Sequence, residues 1–302
     1  MAYIIENIHI LKKQKITKTS ILVHGNRIEM IKPSFQKYRC VRMDGAPYML
    51  TPTPIIFDNQ LIKIASAKEQ KQYIENHFLK KGVTTFLTCG EINREKDLEQ
   101  MLKQMKNILL NCSIDYIISI KIPLKLLTTS FIRKCKKEKI PAIFIKIKDK
   151  KELYKIPWGW IRESMFPYNC PLIPILEIED EQEKRKTLEA WKALIRDVKI
   201  PSITEEIKEG DVISYDSLVK MGVYPFKGNV YQGGEVTYNL YEINRSIINI
   251  EQNDLFHYHN DSIHFTIHKG VCIRAGERVY FRPGFGEQIE VKVPSFFAVG
   301  GD

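Results

Sequence analysis

Between residues 53 and 215, short apolar runs alternate with charged segments whose apolar residues recur at helical spacing. This alternation constrains the fold more than any other feature of the chain. The runs 54–57, 82–88, 116–122, 142–147 and 172–178 read as buried strands, with weaker strand signals near 158–161 and 212–215. Between them, 66–81, 94–110, 126–138 and 181–198 read as helices. In 94–110, for example, Leu98, Met101, Leu102, Met105 and Ile108 fall on one helical face. Repeated strand–helix alternation calls for a parallel α/β sheet or barrel. A full eight-unit barrel takes about 200 residues or more, and this segment offers about 160. The expectation is an α/β, TIM-barrel-like domain that is shortened or incomplete.

Both flanks read as β structure. In 1–52, alternating runs at 3–5, 8–11, 20–24 and 27–31 surround a His24-Gly25-Asn26 turn, and a strand at 40–43 precedes an Asp44-Gly45 turn. After residue 210, glycines punctuate β-branched and aromatic runs. Two β ends around an α/β middle imply that the ends meet. The domain expectation is therefore a small β-sandwich built from 1–52 plus 216–302, beside a barrel-like domain at 53–215.

Composition excludes some classes of function. The chain has 302 residues, 44% of them apolar, enough for a large core. Its net charge of +10 comes from 46 basic against 36 acidic residues. The densest basic stretches, KCKKEK (134–139) and IKIKDKK (145–151), are interrupted by acids or apolar residues. No nucleic-acid recognition module is present, so nucleic acid is not an expected partner. The absence of a long apolar run argues against a membrane span. The N-terminal MAYIIENIHILKKQK lacks the build of a signal peptide. Six scattered cysteines without a C-x-x-C pair fit reduced thiols and a cytoplasmic location.

Local patterns, taken in order, resemble the amidohydrolase superfamily, in particular its dihydroorotase and hydantoinase branch. ILVHGNRIEMI (21–31) is similar to that family's opening hairpin, and MDGAPYMLTP (43–52) to the segment entering its barrel. KKGVTTFLT (80–88) resembles the second barrel strand. MGVYPFKGNVYQGGEVTYNLYEI (221–243) resembles the return segment, and IHKGVCIRAGERVYFRPGFGEQI (267–289) the closing hairpin. The resemblance implies a barrel with a composite β domain and hydrolysis of C–N bonds by a bound divalent metal.

The ligands that such a metal needs are missing. The family holds its metal with His-x-His at the end of the first barrel strand, where residues i and i+2 share one side of the pleat. Aligning the Pro52 region places Asp58 and Gln60 there, and aligning on Asp58 leaves Gln60 and Ile62. Further histidines would come from the middle strands, but none occurs from residue 78 to residue 256. Lys146 lies on a strand resembling the one that carries a metal-bridging carboxylated lysine. Its plainer reading is a strand-end lysine. Glu177, Glu179, Asp180 and Asp211 are candidates for the strand-end base, although the acids of LEIED also suit the start of a helix.

Other schemes have little support. The run LFHYHNDSIHFTIH (255–268) places His257 and His259 two apart, with His264 and His268 following, but it also reads as a hairpin turning at 260–262. Cys89, Gly90 and Glu91 would stand at the barrel mouth with no histidine for a thiol nucleophile except His77, on the preceding helix. The G-x-S-x-G, P-loop and G-x-G-x-x-G motifs are absent. The leading expectation is an amidohydrolase-like pseudoenzyme with no cofactor, binding a small molecule or a protein, with self-association plausible through open sheet edges. The alternative is a divergent cyclic-amide hydrolase with a reduced site of Asp58, Gln60, Lys146 and Glu177 around Zn or Mn.

Overall fold

The computed structural model describes residues 2–12, 14–243 and 252–294, apart from the side chains of residues 252, 253 and 257. The runs at 3–5 and 8–11 are one strand, β1 (Ala2–Lys12), whose register with its neighbour shifts between Ile5 and Ile8. Asn7 takes up the extra residue at φ +57, a left-handed conformation that asparagine tolerates better than most residues. β2 (Lys15–His24) pairs antiparallel along β1 and turns through Gly25 (φ +62) into β3 (Arg27–Lys32). β4 (Val41–Asp44) and β5 (Tyr48–Thr51) take successive stretches of the other side of β1, both parallel to it.

The α/β segment follows. Its strands are β6 (Ile55–Phe57), β7 (Thr85–Glu91), β8 (Asp115–Pro123), β9 (Ile143–Ile147) and β10 (Leu172–Leu176). They form a parallel sheet in chain order, β10-β9-β8-β7-β6, curled as half of a barrel. The connecting helices are α1 (Ala67–Tyr73), α2 (Leu98–Ile108), α3 (Thr129–Lys137) and α4 (Trp158–Met165), and α5 (Glu181–Val198) follows β10. Ser66, Thr128 and Asp180 begin α1, α3 and α5 by accepting a hydrogen bond from the backbone N–H three residues on. The convex face of the sheet (Phe86, Ile118, Ile145) packs with Met101, Phe131 and Trp191 of the helices. The weak strand signal at 158–161 is a helix. Trp158, Ile161 and Met165 are its buried stripe, and so short an apolar run cannot separate the two periodicities.

Among the described residues, no strand of the parallel sheet follows α5. Instead residues 200–213 run from one sheet edge to the other. At the β10 edge, Leu172 N donates to Pro201 O (3.0 Å) and Ile203 N to Leu172 O (3.1 Å). At the β6 edge, Phe57 N donates to Asp211 O (3.0 Å), Gly210 N to Phe57 O (2.8 Å) and Ile213 N to Ile55 O (2.8 Å). The strand expected at 212–215 is thus only an antiparallel bridge from Val212 to Ile56, and the chain passes at once into α6 (Tyr215–Met221).

The return brings β11 (Tyr238–Glu242), α7 (Gln252–Tyr258), β12 (Ile263–His268), β13 (Val271–Ala275) and β14 (Arg278–Val279). β11 pairs with β5, so the two chain ends meet. They meet as one nine-stranded sheet among the described residues, ordered β14-β13-β12-β11-β5-β1-β2-β3 with β4 on β1, where a sandwich was expected. The reason is β1, which is long enough to pair with β2 on one side and with β4 and β5 on the other. Residues 252–258 are helical, so the hairpin expected for 255–268 does not form; the side chain of His257 lies outside the described residues. Gly82 (φ +66) joins the two sheets: Asn239 Nδ2 donates to its carbonyl at 3.0 Å, and a Cβ there would sit 2.6 Å from that same nitrogen. No described helix is long and apolar enough to cross a membrane.

Candidate functional site

The C-terminal ends of β6, β7, β9 and β10 carry Asp58, Gln60, Cys89, Glu91, Lys146 and Glu177. Asp180 instead caps α5, Asp211 lies on the segment that follows α5, and His264 and His268 lie on β12. Asp58 follows β6 and is 3% exposed. Its Oδ1 accepts from the N–H groups of Gln60 (3.1 Å) and Leu61 (2.9 Å), and its Oδ2 accepts from the Tyr73 hydroxyl at 2.5 Å. Oδ1 therefore holds the start of the short helical turn at 61–63, and Oδ2 anchors Tyr73 at the end of α1. The Asn59 Oδ1 accepts from Thr88 Oγ1 (3.1 Å) and Cys89 N (2.8 Å), tying β6 to β7. Glu209 Oε1 accepts from Asn59 N (2.6 Å) and Gln60 N (3.2 Å). Burial raises the Glu209 pKa, the bond from Asn59 N works against this, and the charge of Asp58 adds to the rise. Gln60 itself is exposed.

Lys146 and Glu177 do come together. Lys146 Nζ lies 2.7 Å from Glu91 Oε1 and 2.9 Å from Glu177 Oε1, bridging the tips of β7, β9 and β10. Hydrogen bonds to Glu91 and then Glu177 raise the lysine pKa, holding it as an ammonium. A carbamate forms only on the neutral amine, so this pairing opposes the carboxylated-lysine role. Asp58 makes no bond to this trio.

The inner face of the curled sheet is filled. Phe57, Leu87, Cys89, Ile117, Phe144 and Ile173 form one cluster, and the Phe57 and Phe144 rings stand 5.4 Å apart. Ile203 and Ile213 of the edge-covering segment, with Leu218, Met221, Val223 and Val291, close over it. The two-residue strand period carries this inward column up from Cys89 to Glu91 and from Phe144 to Lys146. Burial pushes the Cys89 thiol far above its ordinary pKa, which rules it out as a ready nucleophile. A catalytic metal at the mouth does not fit these residues. The Asp58 oxygens are already engaged, Lys146 is a cation, and aromatic rings occupy the space beneath.

The opposite end of the sheet holds a buried ionic network, of which sequence reasoning had singled out only His268. Asp115, the first residue of β8, is fully buried. Its Oδ2 is 2.7 Å from Lys227 Nζ; its Oδ1 is 2.7 Å from Lys269 Nζ and accepts from Glu287 N at 2.9 Å. Lys227 Nζ also donates to both oxygens of Glu235 (2.8 and 2.9 Å), which accepts from Thr237 Oγ1 at 2.5 Å. His268 is fully buried with Nε2 3.6 Å from Asp115 Oδ1. Burial opposes ionisation of Asp115, but His268 and Lys227 outweigh it and hold its pKa well below the ordinary value. For Lys227, burial is likewise outweighed by Asp115 and Glu235, and its pKa is raised. Asp115, Glu235 and His268 place ligand atoms within 4.8 Å of one another, as a metal site would. Two ammonium groups already balance the carboxylates, so the cluster works as an internal ion network. Its sequence signals were His268 in the C-terminal histidine run and Lys227 in the glycine-bounded return segment.

A half-barrel of strand–helix units beside a sheet shared by both chain ends is a fold that this chain shares with several solved structures. Among solved structures, the chain is similar to a dihydropyrimidinase from Brevibacillus agri (TM-score 0.56, 11% identity, covering 97% of this chain and 99% of that one). It is also similar to a D-hydantoinase (dihydropyrimidinase) from Thermus sp. (TM-score 0.58, 12% identity, 97% and 100% covered). A triazine hydrolase variant matches with a TM-score of 0.54 at 9% identity, covering 93% and 96%. These likenesses establish the fold. No protein-family model and no curated protein sequence matches the chain.

Proposed function

We propose that this protein is a non-hydrolytic relative of the hydantoinases that works by binding a small molecule or a partner protein. The observation behind this reading is the filled inner face. Phe57 and Phe144 occupy the space under the mouth, and the Glu91–Lys146–Glu177 ion pairs stand above them. In this reading, the five units are the first part of a TIM-barrel-like fold whose remaining units are replaced by the segment 200–213. The ligands of the missing middle strands went with them. The domain division at 1–52 plus 216–302 and 53–215, a cytoplasmic location and self-association belong to the same proposal.

Metal analysis of the purified protein, with an assay for opening of hydantoin and dihydrouracil, tests it. The expected result is no stoichiometric metal and no turnover, with or without added Zn or Mn. One tightly bound Zn or Mn per chain, lost in Asp58→Ala together with turnover, would establish the alternative hydrolase with the reduced site.

A further inference from the structure

A cleft of about 1060 Å³ opens between the nine-stranded sheet and the half-barrel. It lies beside Pro52–Ile55, at the N-terminal end of β6 and away from the mouth. One wall is the sheet face carrying Ile10, Lys12, Lys15 and Thr17, since Ile10 pairs with Thr17 and Lys12 with Lys15 across β1 and β2. The facing wall includes Ile213 and Leu218, and the Tyr215 and Tyr224 rings, which meet edge-on at 4.6 Å between centroids. The size is that of a small-molecule site, and the lining is mainly apolar with a few polar groups, as such sites are.

Its charge is one-sided. No aspartate or glutamate lines the cleft, whereas Lys12 and Lys15 both do. Among the described residues, neither lysine makes an ion pair. Lys12 is half-buried, and its burial lowers its pKa, so its charge is held at a cost that a bound anion would offset. We propose that this cleft binds an amphipathic anion, a carboxylate on an apolar aliphatic or aromatic body. The apolar body lies along Ile10, Ile213 and Leu218, and the carboxylate meets Lys12. The site is separate from the strand tips, so it stands whether or not the mouth supports chemistry.

Isothermal titration calorimetry of the full chain tests this with dodecanoate below its micelle concentration and with uncharged dodecanol. Dodecanoate is expected to bind and dodecanol to bind more weakly. Lys12→Met keeps the apolar stem and removes the charge. It should weaken dodecanoate roughly tenfold and leave dodecanol unchanged. Thr17→Trp, on an exposed position of β2, should crowd the wall beside Ile10 and Lys12 and weaken both. Circular dichroism confirms that each variant is folded. Equal affinity for the two probes, no binding of either, or Lys12→Met and Thr17→Trp binding dodecanoate like the parent chain would each overturn the proposal.

Discussion

Asp58 and Asp115 are both buried at strand ends, and their partners give them different duties. Asp58 accepts two backbone N–H bonds and a tyrosine hydroxyl, so it acts as a cap. Asp58→Ala should cost about 1–2 kcal/mol of stability, read from urea unfolding, as loss of a cap does. Lys146→Ala, which removes two partly exposed ion pairs, should cost about 1 kcal/mol or less. Asp115 is an ion in a sealed network. Lys227→Met leaves Asp115 and Glu235 without their shared ammonium and should cost about 3–5 kcal/mol in the same measurement.

The pH dependence follows from the directions of the two shifts. The folded Asp115 pKa lies below its unfolded value of about 4. Its contribution is therefore fully present above that pH and is lost as the pH falls through the folded value. The folded Lys227 pKa is raised, so its contribution is present below about pH 10 and is lost as the pH rises through the folded value. Urea midpoints between pH 2 and pH 5 should fall steeply for the parent chain. Asp115→Asn should start lower and fall less. Equal slopes would mean that Asp115 is not the group responsible.

At the scale of elements, the segment 200–213 covers both edges of the parallel sheet. It hydrogen-bonds to β10 at one edge and to β6 at the other, and buries Ile203 and Ile213 against the inner face. An uncovered parallel sheet would expose two rows of backbone groups and invite pairing between chains. Ile213→Asp should release the β6 edge, and light scattering should show concentration-dependent assembly alongside a lower melting temperature. A stable variant unchanged in mass would show that the segment is dispensable. The strands of the half-barrel were legible because each is a short β-branched run between helical stretches. The helix at 158–165 was not, since Trp158 and Ile161 satisfy either period over so few residues. The bulge at Asn7 was also hidden: a strand with one extra residue looks like two strands when only the alternation is read.

For the molecule as a whole, the two sheets share their cores. Leu218, Met221, Val223 and Val291, all beyond residue 215, complete the inner face of the half-barrel. The Asp115 network and the Asn239–Gly82 bond cross the same junction. A fragment of residues 53–215 should therefore fail to unfold cooperatively by calorimetry, and a sharp transition would show that the half-barrel stands alone. The sequence by itself determined the order of β, α/β and β regions and the absence of histidine from residue 78 to residue 256, because periodicity and residue type are local and can be counted. Tertiary structure decided the rest. It made one sheet of the two ends, filled the inner face, paired Lys146 with Glu91 and Glu177, and brought Lys227 to Asp115 across 112 positions. Those outcomes depend on which side chains meet in space, and burial gives such meetings their energy only once the chain has closed.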